Sequence, residues 1–93
     1  MNTDQQMDRL ICDKALELYR AIEAAIEGGR GGYAKEKLTE LRSFLKCQTQ
    51  HSAFRNAHAY LPRASTNLSQ WKSELAYSRL SIEDYLGQLQ RKS

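Results

Sequence analysis

Residues 7–32 read MDRLICDKALELYRAIEAAIEGGRGG, and this stretch decides the fold class. Met7, Ile11, Leu18, Ile22 and Ala25 recur at helical steps, with Leu10, Ala15 and Ile26 widening the stripe. An apolar face with that period is an amphipathic helix, about residues 4–27. Gly28-Gly29-Arg30-Gly31-Gly32 then ends it. Gly28 is the expected left-handed cap, and the glycines after it loosen the backbone into a turn that carries Arg30 at its tip.

Working outward, a second helical stripe begins near Tyr33. It runs through Ala34, Leu38, Leu41 and Leu45, then Phe44, Cys47, His51, Phe54, His58 and Leu61. The stripe drifts around the helix without a gap, so it predicts one helix over about 33–60. The alternative is a break near 49–52, with Ser52 as N-cap of the second piece. Pro62, the chain's single proline, disfavours helical angles at Leu61, and residues 63–67 supply a turn. Asn67 with Gln70 three residues on fits a capping box. Beyond it Leu68, Trp71, Leu75, Ser78, Ile82, Tyr85 or Leu86, and Leu89 keep a period near 3.5, the packing rhythm of a coiled coil. Arg79 and Glu83 stand four apart, as an outer-face pair would. Ser81 with Asp84 could instead cap a new helix and split this segment.

No strand pattern competes. The expectation is an all-α fold of one domain over the 93 residues. It would be an elongated antiparallel bundle of three long helices at about 4–27, 33–60 and 67–91, joined through the glycine-rich turn at 28–32. Helices of that length span roughly 36–42 Å, so the core should be thin.

Charge is segregated along the chain. The 33 residues between Glu40 and Glu74 hold Arg42, Lys46, Arg55, Arg63 and Lys72, two histidines and no carboxylate. The first 27 residues hold six acids against three bases. The formal net charge of +3 is too mild to name a partner by itself. The polar, acidic start lacks the basic and apolar segments of a signal peptide, and no apolar run approaches the roughly 20 residues of a membrane span, so a cytoplasmic protein with no membrane partner is expected. Two cysteines, Cys12 and Cys47, should be thiols there. Folding the chain back at Arg30 brings them near one level; a switchable disulfide is the sharper reading and small buried side chains the plainer one.

No motif supplies chemistry. His51 and His58 are two helical turns apart, too far to share a metal, and no carboxylate near them completes a site. The glycine cluster follows a helix and lacks the Lys-Ser/Thr ending of a phosphate loop. A helix-turn-helix over residues 75–89 lacks its glycine and has Arg79 and Leu80 out of phase. Catalytic residues, metal and cofactor are therefore all expected to be absent.

What the sequence predicts is a non-enzymatic regulator, adaptor or inhibitor that binds another protein, with an acidic surface, through an amphipathic helical face; the seams would equally serve a homodimer. Trp71, Leu75, Tyr85 and Leu89 are the expected anchors, with Arg42, Lys46, Arg55 and Arg63 steering the partner. The alternative is a DNA- or RNA-binding module. It would use Arg30, Lys35, Arg42, Lys46, Arg55 and Arg63, interleaved with Tyr33, Phe54 and Tyr60, and a flank of Lys35, Thr39, Arg42, Lys46 and Thr49 at helical spacing. Against both stands the plain expectation that this flank meets Asp13, Glu17 and Glu23 of the first helix.

Overall fold

The computed structural model describes residues 3–48, 50–63 and 67–91. They form four α-helices: α1 (Thr3–Glu27), α2 (Gly31–Lys46), α3 (Ser52–Ala59) and α4 (Leu68–Arg91). Among the described residues there is no strand, and the body measures 42 × 21 × 18 Å. α1 packs against α2 and α4, and α3 packs against α4 and α2. A single cluster of buried side chains drawn from all four helices makes the core.

α1 ends at Glu27, closed off by backbone bonds from the residues that follow. The Arg30 N–H donates to the Ala25 carbonyl at 2.7 Å and the Gly29 N–H to the Ile26 carbonyl at 3.2 Å. This is the paired bonding of a Schellman motif, which requires one residue in the left-handed region. That residue is Gly29, at φ 74°, one place later than the expected Gly28. Gly31 and Gly32 belong to the first turn of α2, not to the turn, and Arg30 stands at its N-cap with no side-chain bond.

The long second helix is two helices. α2 buries Ala34, Leu38, Leu41 and Leu45, and α3 buries Ala53, Phe54 and Ala57. At about 100° per residue, Phe54 in an unbroken helix would point to nearly the opposite side from the α2 stripe. One straight rod could not seat both sets in one core, so the drift that the sequence shows is resolved by a break. The chain leaves α2 at Cys47 and re-enters a helix at Ser52. The N-cap of α3 is His51, not Ser52: His51 is extended, and its Nδ1 accepts the Ala53 N–H at 3.0 Å. Thr49 and the middle of the 63–67 turn lie outside the described residues.

α4 runs unbroken past Ser81. Its start falls where the Asn67–Gln70 spacing puts it, with the Gln70 N–H on the Asn67 carbonyl at 2.9 Å. It lies antiparallel to α1, as the cross-helix pairs Glu27–Lys72, Glu23–Arg79 and Asp8–Tyr85 show. Arg79 also bonds Glu83, four residues on, at 3.3 Å.

Ser78, the polar residue in the α4 seam, is fully buried. Its hydroxyl donates to the Ala57 carbonyl, one of the acceptors left over at the end of α3, and also bonds the Tyr19 hydroxyl. With its only proton on Ala57, Ser78 must accept from Tyr19. One side chain thus joins α1, α3 and α4. Ser78→Ala should cost about 1–3 kcal/mol, since it strands two buried polar groups. Tyr19→Phe, which leaves the Ser78–Ala57 bond in place, should cost less. Urea denaturation of the two variants gives the comparison, and equal losses would refute this ordering.

Candidate binding surface

The carboxylate-free middle of the chain becomes a surface where the C-terminal half of α2 meets α3. Burial of Leu38, Leu41 and Leu45 turns Lys35, Arg42 and Lys46 outward, and burial of Phe54 and Ala57 leaves Arg55 exposed and His58 half-buried. The Arg42 guanidinium donates to the Pro62 carbonyl. That bond ties α2 to the chain leaving α3 and brings exposed Arg63 beside Arg42 in the same corner. Partial burial, with Arg42 and Lys46 close by, holds the His58 pKa below its ordinary value. Lys46, Arg55 and Arg63 are exposed, and among the described residues none of the four cations Arg42, Lys46, Arg55 and Arg63 is within ion-pair distance of a carboxylate.

The acids of α1 are used elsewhere. Glu23 bonds Arg79 and Glu27 lies 3.8 Å from Lys72, both on α4, while Asp13 and Glu17 are exposed. The expected neutralisation of the α2 flank by α1 is therefore corrected: the cross-helix ion pairs join α1 to α4.

The residues expected to bind nucleic acid are not all brought together. Lys35 stands 11 positions before Lys46, roughly 16 Å along the helix. Its surroundings are mixed: Glu36 adjoins it, and Lys37 pairs with Glu40 at 3.0 Å. Thr39 turns its hydroxyl back to the Lys35 carbonyl. Arg30 is exposed at the far end of α2. Of the interleaved aromatics, Phe54 is fully buried, Tyr33 lies under Lys37, and Tyr60 alone flanks the cluster.

The expected anchors are core residues. Trp71 and Leu75 are fully buried and Leu89 and Tyr85 nearly so, so in this fold they hold helices together and offer no free face. The large apolar side chains that do face solvent include Met7 and Leu10 on α1, Tyr33 on α2, Tyr60 after α3, and Tyr77 and Leu80 on α4, the last three 55%, 66% and 52% exposed. The Tyr60 and Tyr77 rings lie 6.4 Å apart. Sequence reasoning passed over Tyr77 and Leu80, although their phase was visible: both fall outside the 71-75-78-82-85-89 seam.

A second polar cluster closes the other end of the bundle. Asp8 is buried; one carboxylate oxygen accepts from the Tyr85 hydroxyl and the other from Gln50 at 3.1 Å. Burial, then the Asp8 carboxylate, pushes the Tyr85 phenol pKa upward. His51 stacks on Tyr85 with ring centroids 3.8 Å apart. Every member is engaged, and the cluster joins α1, α4 and the α3 N-cap. Cys12 is buried beneath it, while Cys47 is exposed after α2, and both are free thiols.

Among the described residues no group of three His, Cys, Asp or Glu side chains is placed to hold a metal, and no helix is long and apolar enough to cross a membrane. Fold and surface together define a small all-α protein with a basic corner formed by α2, α3 and the chain after α3. No protein-family model, curated protein or solved structure matches the chain.

Proposed function

We propose that this chain is a non-enzymatic adaptor or regulator, working in the cytoplasm, that docks on an acidic surface of a partner protein. The contact is centred on Arg42, Lys46, Arg55 and Arg63, with Tyr60 at its edge. One observation supports this reading: the Pro62 carbonyl beside Arg63 holds Arg42, Arg42 and Lys46 both act on His58 one helical turn from Arg55, and among the described residues none of these four cations is within ion-pair distance of a carboxylate. Arginine and tyrosine are the side chains that most often dominate protein interfaces, and a one-signed patch speeds encounter with a partner of opposite charge.

Nucleic acid is the second reading, favoured by the exposed Tyr60–Tyr77 pair beside the cations, since aromatic rings accept stacked bases. Four neutralised phosphates on a single strand would weaken binding by about fiftyfold between roughly 50 and 200 mM salt.

Affinity capture from native lysate, with and without nuclease, separates the two. The expected result is a stoichiometric protein that survives nuclease and is lost from the combined Lys46→Glu, Arg55→Glu, Arg63→Glu variant, whose circular dichroism stays native. These three side chains are exposed and make no bond within the described fold. Loss of every partner on nuclease treatment would replace the protein reading with the nucleic-acid one.

A further inference from the structure

α4 has an outer face that nothing among the described residues covers. Opposite its buried seam lie Ser73, Ala76, Tyr77, Leu80, Glu83, Asp84 and Gly87, of which all but Gly87 are exposed. Two large apolar side chains that face solvent, Tyr77 and Leu80, sit at its middle, and Tyr60 of the neighbouring segment extends the patch. Isolated exposed apolar residues need no explanation, but neighbouring ones on one helix face mark an interaction surface. Gly87 adds to this. A glycine inside a helix weakens it relative to alanine. Yet the nearest side-chain atom to a Cβ built there is the Arg91 guanidinium, at 4.0 Å, so packing within the chain does not require it.

We infer that this face is a homodimer surface, with α4 of one copy antiparallel to α4 of a second. The charge order along the helix selects that occupant and that direction. Exposed Lys72 precedes the patch, and exposed Glu83 and Asp84 follow Leu80. A two-fold axis midway between Tyr77 and Leu80 sets Tyr77 of each copy against Leu80 of the other. The same axis brings Ser73 level with Asp84, and Lys72 within two residues' rise, about 3 Å, of Glu83. Lys72 is available for this, since its only ion pair within the described fold is a solvent-exposed one with Glu27 at 3.8 Å. A parallel pair would instead set the Glu83 and Asp84 carboxylates of the two copies level, like charge against like. Two-fold closure uses the same patch on both copies and leaves none of it open. This surface adjoins the basic corner at Tyr60, but its pairing residues Lys72, Tyr77, Leu80 and Glu83 are not among the corner's cations, so it does not depend on the corner's function.

Sedimentation equilibrium from about 1 μM to about 1 mM covers the range of a modest dimer. The wild type is expected to move from 10.7 kDa toward twice that mass. Leu80→Glu and, independently, Tyr77→Asp are expected to remain monomeric with native circular dichroism. Lys72→Glu or Glu83→Lys alone should weaken association by about tenfold or more, and the two together should restore it, since the swapped charges attract again. A wild type that stays monomeric throughout, a dimer indifferent to both Leu80→Glu and Tyr77→Asp, or a charge swap without recovery each overturns the assignment.

Discussion

Replacing Trp71 with alanine is expected to remove about 3–5 kcal/mol of stability, the usual cost of deleting a large buried aromatic. Trp71 heads the fully buried side chains of this core, ahead of Tyr19 and Phe54. In a bundle only 21 × 18 Å in its shorter dimensions, a deleted indole leaves a cavity that a thin core has little material to refill. A domain of this size has roughly 5–15 kcal/mol in total, so the loss takes a large share of it. At about 4–8 °C per kcal/mol, the melting temperature should fall by roughly 12–40 °C. Tyr77→Ala, made on the same helix at a 66% exposed position, should change stability little. Thermal melts of the two variants decide the matter. A Trp71→Ala protein that melts with the wild type would mean that the indole is not packed as described, and would return it to the role of interface anchor.

Alkaline pH should unfold the protein well before the chain is chemically damaged. Burial is the main cause that raises the Tyr19 phenol from 10.0 to about 12, against the opposing pull of Ser78 and Arg79. Burial, then the carboxylates of Asp8 and Asp13, raises the Cys12 thiol from 9.0 to about 12. Both groups are neutral in the folded protein and ionise more easily in the unfolded chain. Their contribution is therefore complete below about pH 9 and is lost as the pH climbs toward 12, where the folded groups would also ionise. At about 1.4 kcal/mol per unit, Tyr19 alone accounts for roughly 3 kcal/mol across that window, and Cys12 adds to it. The urea midpoint should thus fall steeply between about pH 8 and pH 11. In Tyr19→Phe, which has no phenol to ionise at that position, the fall should be shallower. An identical midpoint at both pH values would show that neither group is held neutral by the core.

The two substitutions probe different parts of what could be read in advance. Trp71, Leu75, Ile82, Tyr85 and Leu89 were legible as one face of α4 because a 3.5-residue period needs only the chain itself. Whether that face would meet the rest of the same chain or a partner was not legible: an apolar seam looks the same in either case. The break between α2 and α3 was half-visible. The drifting stripe announced it, but drift alone permits a curved rod as well as a kink, and only the need to seat both Leu45 and Phe54 in one core chooses the kink. His51 gave less warning still. A histidine is not a usual N-cap, and it caps α3 here in a cluster where its ring stacks on Tyr85 from α4.

For the candidate surface, composition revealed that cations without neighbouring carboxylates existed between Glu40 and Glu74, but not that they converge. Convergence comes from the fold-back of α3 on α2 and from one bond, Arg42 to the Pro62 carbonyl, between residues 20 apart. The same fold-back separates Arg30 and Lys35 from the cluster, a distinction that a count of charges does not contain.

By itself, then, the sequence determined the helical class, the first and last helices, the site of the glycine turn and the charge segregation. Each follows from local periodicity, backbone preference or composition, which act over a few residues. The tertiary structure decided which apolar residues are core and which face water, where the middle helix breaks, and which acids meet which bases. Those outcomes depend on burying several faces in one volume at once, a condition that spans the chain and is not written in any one stretch of it.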